Sequence, residues 1–165
     1  MEKIWYAELK SPLGKLTLES DGESLTRIRL PEDEWRPDPG VTRVSKPELF
    51  TEAAAQLGAY FRGERTEFSL PLNPQGTPFQ KKVWDLLCGI PAGETITYGE
   101  LATRAGNSKA FRAVGAANGR NPLPIIIPCH RVIGAGGKLT GYAGGLEAKK
   151  KLLEIESAGL RNCPV

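Results

Sequence analysis

The 165-residue sequence predicts an α+β chain: a small antiparallel sheet with one covering helix, then a mostly helical half that contains a helix-turn-helix. Up to about residue 30, short runs of strand-forming residues alternate with turn signals. Beyond residue 47 the apolar residues recur at helical spacing and helix-start signals appear. A hydrophobic content of 40% is enough to bury a real interior in a chain of this length, as one domain or as two small units sharing a core. The division expected is 1–76 for an N-terminal α/β unit with its connector and 77–165 for the helical unit.

The segments 4–9, 15–20 and 25–30 read as strands, separated by Ser11-Pro12-Leu13-Gly14 and by Asp21-Gly22. Two successive hairpins follow from those turns. From Pro31 to Gly40, acids, Trp35 and three prolines accumulate, which reads as an irregular loop. Over 47–61, Leu49, Phe50, Ala53, Ala54, Leu57, Tyr60 and Phe61 fall at helical spacing, and this helix is expected to cover the sheet.

Residues 66–76 read as a connector. Thr77-Pro78-Phe79-Gln80 then combines an N-cap threonine, a proline in the first turn and a glutamine three residues after the cap, a capping box. Phe79, Val83, Leu86 and Leu87 are expected to form the buried stripe of that helix, with Cys88 as a core thiol. A second box, Thr97-Tyr98-Gly99-Glu100, opens a short helix to about Ala105, broken by Gly106-Asn107. Ser108 is expected to cap a further helix over 109–118, stopped by Gly119. Two short helices about a glycine turn make a helix-turn-helix, which is a DNA reader in some proteins and a packing unit in others. The second helix, with Ala110, Ala113, Gly115, Ala116 and Ala117, has little side-chain bulk while Arg112 projects a long cationic arm. It suits a close contact that reads shape, as in a minor groove, or equally close packing against another helix. A last helix spans 146–158 with Leu146, Leu152, Leu153 and Ile155 inward and Lys149, Lys150 and Lys151 outward, and the tail from Gly159 reads as loose.

Charge is segregated along the chain. Residues 1–100 carry 12 Lys/Arg against 16 Asp/Glu, whereas residues 101–165 carry 10 against 3. A basic half is the footprint of a polyanionic partner, with a solvated lysine face as the plainer reading. Three cysteines without a CxxC spacing and a single histidine argue for reduced thiols and no metal. No apolar run is long enough to span a bilayer and no leader follows Met1, so a cytoplasmic protein is expected.

The chemistry is expected where Cys129 adjoins His130, the chain's one histidine, at the end of the apolar run Ile125-Ile126-Ile127-Pro128. A thiol attacks as thiolate, so its pKa of about 8.5 must fall or a neighbouring base must take the proton, and imidazole is the usual base. The plainer reading is a buried cysteine beside a surface histidine.

Taken together, these residues resemble the O6-alkylguanine-DNA alkyltransferase family, the methylated-DNA–protein-cysteine methyltransferases. The segment Pro128-Cys129-His130-Arg131-Val132-Ile133 matches the family's active-site signature. Asn121-Pro122, Gly141-Tyr142, Gly144-Gly145 and the stretch 109–115 fall at the family's spacing. The resemblance is close over about residues 77–165 and weaker before them, where it implies a ribonuclease-H-like unit. It implies that Cys129 takes the alkyl group from O6 of guanine, and less readily from O4 of thymine, in duplex DNA, once per chain and with no cofactor. His130 would accept the thiol proton through a water molecule, with Glu156 holding the imidazole. Asn121 would brace the active-site turn, and Tyr98 would protonate the leaving purine and crowd the adjacent phosphate. Arg112 would enter the base stack in place of an extruded nucleotide, since the target oxygen is out of reach in paired DNA. Tyr98, Gly99, Asn107, Ala113 and Ala117 would join Arg112 at the DNA, while Tyr98, Val132, Tyr142 and Ala143 would line the base pocket. Ala143 stands where some members have serine, and the segment before Lys46 lacks the Cys and His that hold zinc in some relatives. The resemblance further implies a monomer on double-stranded alkylated DNA through the minor groove, able to act cooperatively, with no membrane partner. Two rivals remain: a non-catalytic alkylated-DNA binding protein, and a Cys-His hydrolase or redox protein.

Overall fold

The computed structural model describes residues 2–33, 36, 38–142 and 144–161. Trp35, Ala143 and the tail from residue 162, which all enter the sequence expectations, lie outside the described residues. Strands β1 (Glu2–Ser11), β2 (Gly14–Ser20) and β3 (Leu25–Arg29) form the expected antiparallel hairpins. The first turn depends on Gly14, whose φ of 110° is a conformation that side chains disfavour. A fourth strand, β4 (Val41–Ser45), is absent from the sequence expectation and pairs parallel with β1, so the sheet is mixed, in the order β3-β2-β1-β4. Its pairing depends on the return of the chain after the 31–40 loop, which a five-residue run does not advertise.

One face of the sheet, with Ala7, Leu16, Leu18 and Ile28, is buried under a 3-10 turn (Pro47–Phe50) and helix α1 (Thr51–Phe61), which insert Phe50, Ala53, Leu57 and Tyr60. Each large side chain buried there stabilises by roughly 1.5–3 kcal/mol. Leu49, expected inward, is exposed, because the 3-10 start shifts the phase of the helical pattern.

Helix α2 (Pro78–Cys88) begins on the expected capping box: Gln80 N–H donates to Thr77 Oγ1 at 3.1 Å and Thr77 N–H to Gln80 Oε1 at 2.9 Å. Its inward face differs from the expectation. Val83, Trp84 and Leu87 are buried, Phe79 is exposed, and Trp84 Nε1–H donates to the Ala117 carbonyl at 2.9 Å. Burying Trp84 with its N–H satisfied turns Phe79 out. Cys88, expected in the core, is an exposed free thiol at the end of the helix.

Helices α3 (Tyr98–Arg104) and α4 (Phe111–Gly119) form the helix-turn-helix. Thr97 caps α3 by accepting from Glu100 N–H at 3.1 Å. Ser108 does not cap α4, which starts after Ala110; Asn107 Oδ1 instead accepts from Lys109 N–H at 3.0 Å and fixes the turn before it. A two-stranded parallel ribbon, β5 (Ile96–Thr97) with β6 (Val132–Ile133), joins the start of α3 to the active-site run. Helix α5 (Leu146–Arg161) closes the fold. Among the described residues no helix is long and apolar enough to cross a membrane.

The halves meet along β3. Ile28 N–H donates to the Pro122 carbonyl at 2.9 Å, on the sheet edge that Leu72 bridges at Leu25, and Leu30 fills the space a Cβ would take at Gly144. Buried residues of both halves form one continuous core.

Candidate active site

The run Leu123–Pro128 is buried throughout and ends in a 3-10 turn, Cys129–Arg131, that aims three consecutive side chains into the interior. Asn121 holds the run from below: its Nδ2 donates to the Ile127 carbonyl at 2.7 Å and its Oδ1 accepts from Leu123 N–H at 3.0 Å. Within it Ile125 adopts φ 77°, a costly conformation for a β-branched residue that persists only where the surroundings over-determine it. Cys129 N–H donates to the Ile127 carbonyl at 2.8 Å, and Asn118 Nδ2 donates to the Cys129 carbonyl at 3.3 Å. The backbone carrying the sulfur is therefore fixed on both sides.

Cys129 is 5% exposed, at the floor of a cleft of about 690 Å³. Burial pushes its thiol up to about 11, opposed by hydrogen bonding to Asn121 and by the charge of Lys149. At neutral pH the sulfur is protonated, so attack requires a base. His130, the next residue, is fully buried. Its Nε2 lies 2.8 Å from Glu156 Oε2, and because a carboxylate only accepts, Nε2 carries the hydrogen and Nδ1 keeps its lone pair. Burial lowers the pKa of His130 below its ordinary value, so the imidazole stays neutral at pH 7.

Glu156, on α5, is 2% exposed. Arg131 Nε donates to its Oε1 at 2.8 Å and Arg131 Nη2 to its Oε2 at 2.9 Å, while Nη1 reaches the Ile90 carbonyl at 2.6 Å. Tyr60 OH, from α1, donates to Oε2 at 2.9 Å. Burial raises the Glu156 carboxyl, but the hydrogen bonds and charges of His130 and Arg131 outweigh that and hold it at about 2. Among the described residues, three buried polar side-chain atoms lack a partner: His130 Nδ1, Asn118 Oδ1 and Tyr142 OH. Asn118 and Tyr142 line the cleft with Cys129, and the Tyr142 hydroxyl faces the Cys129 thiol, whereas His130 lies behind the lining. Polar groups left open in one place mark a site that receives a polar molecule.

Of the other expected residues, Tyr98 lines the cleft with Gly115 and sends its hydroxyl toward the Thr140 carbonyl at 3.5 Å. Gly99, Asn107, Arg112 and Ala113 are exposed on the helix-turn-helix. Ala117 does not join them: it faces the core, its carbonyl taken by Trp84. Val132 is buried beneath the cleft without lining it, and its carbonyl accepts from Lys149 Nζ at 2.6 Å. Lys149 is a correction to the outward lysine face. It is 0% exposed and also donates to the Thr140 carbonyl at 2.9 Å, so it ties α5 to the strand after Cys129.

Sequence reasoning missed five contributors. Lys149 and Arg131 lie inside the motif region, but their inward aim depends on carbonyls and a carboxylate that only the fold supplies. Tyr60 and the end of β3 come from the half to which sequence assigned packing alone; Arg27, Ile28, Leu30 and Asp33 line the same cleft as Cys129. Phe111, 51% exposed beside Arg112, carried a signal that spacing could have caught, an aromatic at the first turn of a small-residue helix.

Comparison with known proteins agrees with this geometry. Residues 78–158 match the family model described as the DNA binding domain of 6-O-methylguanine DNA methyltransferase, and residues 4–74 match its ribonuclease-like domain. A methylated-DNA–protein-cysteine methyltransferase of Methanosarcina acetivorans is 50% identical, over 94% of this chain and 99% of its own. One of Mycobacterium bovis is also 50% identical, over 94% of this chain and 93% of its own. The crystal structure of the Mycobacterium tuberculosis O6-methylguanine methyltransferase superposes with TM-score 0.89 at 48% identity, covering 98% of this chain and 96% of that one. A Mycobacterium tuberculosis OGT solved in complex with DNA gives TM-score 0.84 at 48% identity, over 95% and 94%. With both models matched in succession over residues 4–74 and 78–158, and relatives 50% identical over 94% of the chain, the chain belongs to the 6-O-methylguanine DNA methyltransferase family.

Proposed function

We propose that this chain is a DNA repair methyltransferase that moves the alkyl group of O6-alkylguanine, and less readily of O4-alkylthymine, in duplex DNA onto its own Cys129. The observation that carries the reading is Cys129 in an open cleft beside a His130 whose Nε2 is tied to Glu156 and whose Nδ1 is uncommitted. The thiol proton passes through a water molecule to Nδ1, and the sulfur pair attacks the alkyl carbon. The carbon–O6 bond breaks and its electron pair enters the purine, which takes a proton from the Tyr98 hydroxyl; the tyrosinate regains one from solvent. The product thioether neither hydrolyses like a thioester nor exchanges like a disulfide, so each chain acts once.

The DNA is met at the helix-turn-helix in the minor groove. Gly99, Asn107 and Ala113 approach the backbone, and Arg112 fills the stack left by the extruded nucleotide, which costs a few kcal/mol to extrude. Tyr98, Tyr142 and Ala143, with backbone near Val132, hold the base, and Asn121 braces the turn that carries the sulfur. The functional division is 1–76 for the supporting unit and 77–165 for DNA and chemistry. The protein acts as a monomer, in the cytoplasm, without a cofactor.

Intact mass after incubation with a duplex containing O6-methylguanine tests the reading. One added methyl per chain, absent in Cys129→Ser, is expected. Binding without mass gain would replace it by a non-catalytic lesion binder, and repeated turnover by a hydrolase.

A further inference from the structure

We infer that Tyr60, in the N-terminal helix α1, is a positioning residue of the thiol-activating relay, its hydroxyl setting how basic His130 is through the shared Glu156 oxygen. The inference rests on the proposed alkyl-transfer reading for its catalytic meaning, though not for its first test.

The geometry that points there is one atom. Glu156 Oε2 accepts from Tyr60 OH at 2.9 Å, from His130 Nε2 at 2.8 Å and from Arg131 Nη2 at 2.9 Å. Tyr60 is 96 residues away in sequence and buried. Its ring packs edge-on to Phe61 and tilted against Phe68, with centroids 5.4 and 5.6 Å away, contacts that a phenylalanine would make as well. Packing therefore does not account for a hydroxyl in the core, since burying one has a cost unless a partner is found. Burial and the Glu156 charge keep the phenol protonated far beyond neutral pH, so it remains a donor.

A donor on Oε2 draws electron density from the oxygen that holds the imidazole. Its removal leaves a stronger acceptor for Nε2–H, stabilises the imidazolium and makes His130 protonate at a higher pH. The other groups that face the pair are unchanged by such a substitution: Arg131 and Cys129 on the 3-10 turn, Lys149 on α5 and Tyr142 on the loop before it. Arg131 and Lys149 are cations that oppose the imidazolium, so in the native protein the carboxylate is shared and the base stays weak and neutral.

The single histidine makes the test direct, because one imidazole signal titrates in the NMR spectrum. Tyr60→Phe is expected to move that titration up by about 0.5–1 pH unit. The same shift should slow methyl transfer from an O6-methylguanine duplex about three- to tenfold on the acid limb and leave the alkaline plateau within about threefold of the native rate. Tyr60→Leu, which removes the hydroxyl with a different change in packing, must shift the titration in the same direction. Coincident titrations, a shift in only one variant, or a uniform loss of rate at every pH would overturn the inference and leave Tyr60 as packing. If the native chain gains no methyl, the repair reading fails while the titration still decides the role of Tyr60.

Discussion

Each half of the molecule buries a glutamate, Glu19 on β2 and Glu156 on α5, both 2% exposed, and their surroundings differ in a way that separates support from chemistry. Glu19 lies on the sheet face that α1 does not cover. It is enclosed by Arg29 at 3.0 Å, by Arg43, and by Arg27 at 4.0 Å, its register partner on β3. All three are guanidiniums that stay charged at any accessible pH, so these partners neither take up nor release a proton. Glu156 is held by one guanidinium, one phenol and one imidazole, and the imidazole, whose residue follows Cys129 in the chain, has an uncommitted nitrogen. A carboxylate clasped by arginines is a clamp. One that shares its oxygens with a histidine governs a base.

The largest expected effect comes from neutralising each carboxylate in turn. Glu156→Gln leaves the buried Arg131 without its counter-charge, which costs roughly 3–5 kcal/mol, and deprives the His130 imidazolium of its stabilising charge. Single-turnover methyl transfer is expected to slow by about 10- to 100-fold. Glu19→Gln costs less, about 1–3 kcal/mol, because the arginines around it reach solvent in part, and it should leave the rate within about threefold of the native value. Denaturant unfolding and transfer kinetics on both variants check the contrast. Equal rate losses would erase the distinction between the two sites.

The contrast was only half legible in the sequence. Cys129 and His130 are consecutive, so their chemistry shows in the chain itself, as does the Thr77 capping box, whose bonds span three residues. Glu156 is picked out only by the family resemblance, and nothing local marks it, because its partners arrive from positions 60 and 130–131. Lys149 fails for the same reason: a Lys-Lys-Lys run on an amphipathic helix reads outward, and only the carbonyls of Val132 and Thr140 draw the first of them in. The exchange of Phe79 for Trp84 in the core of α2 is likewise decided by the Ala117 carbonyl. Interactions closed within a turn are visible in sequence, whereas those closed between halves are not.

Acid sharpens the comparison next. Glu156 titrates at about 2 in the fold against about 4.3 in an unfolded chain, so its contribution to stability is complete above about 4.3 and is lost as the pH falls through 2. His130 has a folded pKa below the ordinary value because burial disfavours its charge, so the unfolded chain binds its proton first and stability declines as the pH drops below about 6.5. Both slopes have the same sign. Thermal unfolding is expected to show a Tm that falls from neutral pH to pH 3, and Glu156→Gln should flatten the part below about 4.3. An unchanged slope in that variant would place the acid-sensitive group elsewhere.

The smallest effect is expected at the outermost arm of the Glu19 cluster. The side chain of Arg27 is 44% exposed and stands 4.0 Å from the carboxylate, the longest of the three approaches, while Arg29 and Arg43 remain in place. An ion pair of that kind contributes about 0–1 kcal/mol, so Arg27→Ala should change unfolding free energy by less than about 1 kcal/mol and lose even that at high salt. A loss near that of Glu19→Gln would mean that the clamp is cooperative and that Arg27 cannot be removed without releasing the other two. Arg27 also lines the cleft of Cys129, and a clamp of that kind would then transmit a disturbance of the outer sheet face to the reactive pocket. A near-zero change leaves Arg27 free to serve the cleft, with stability carried by its two neighbours.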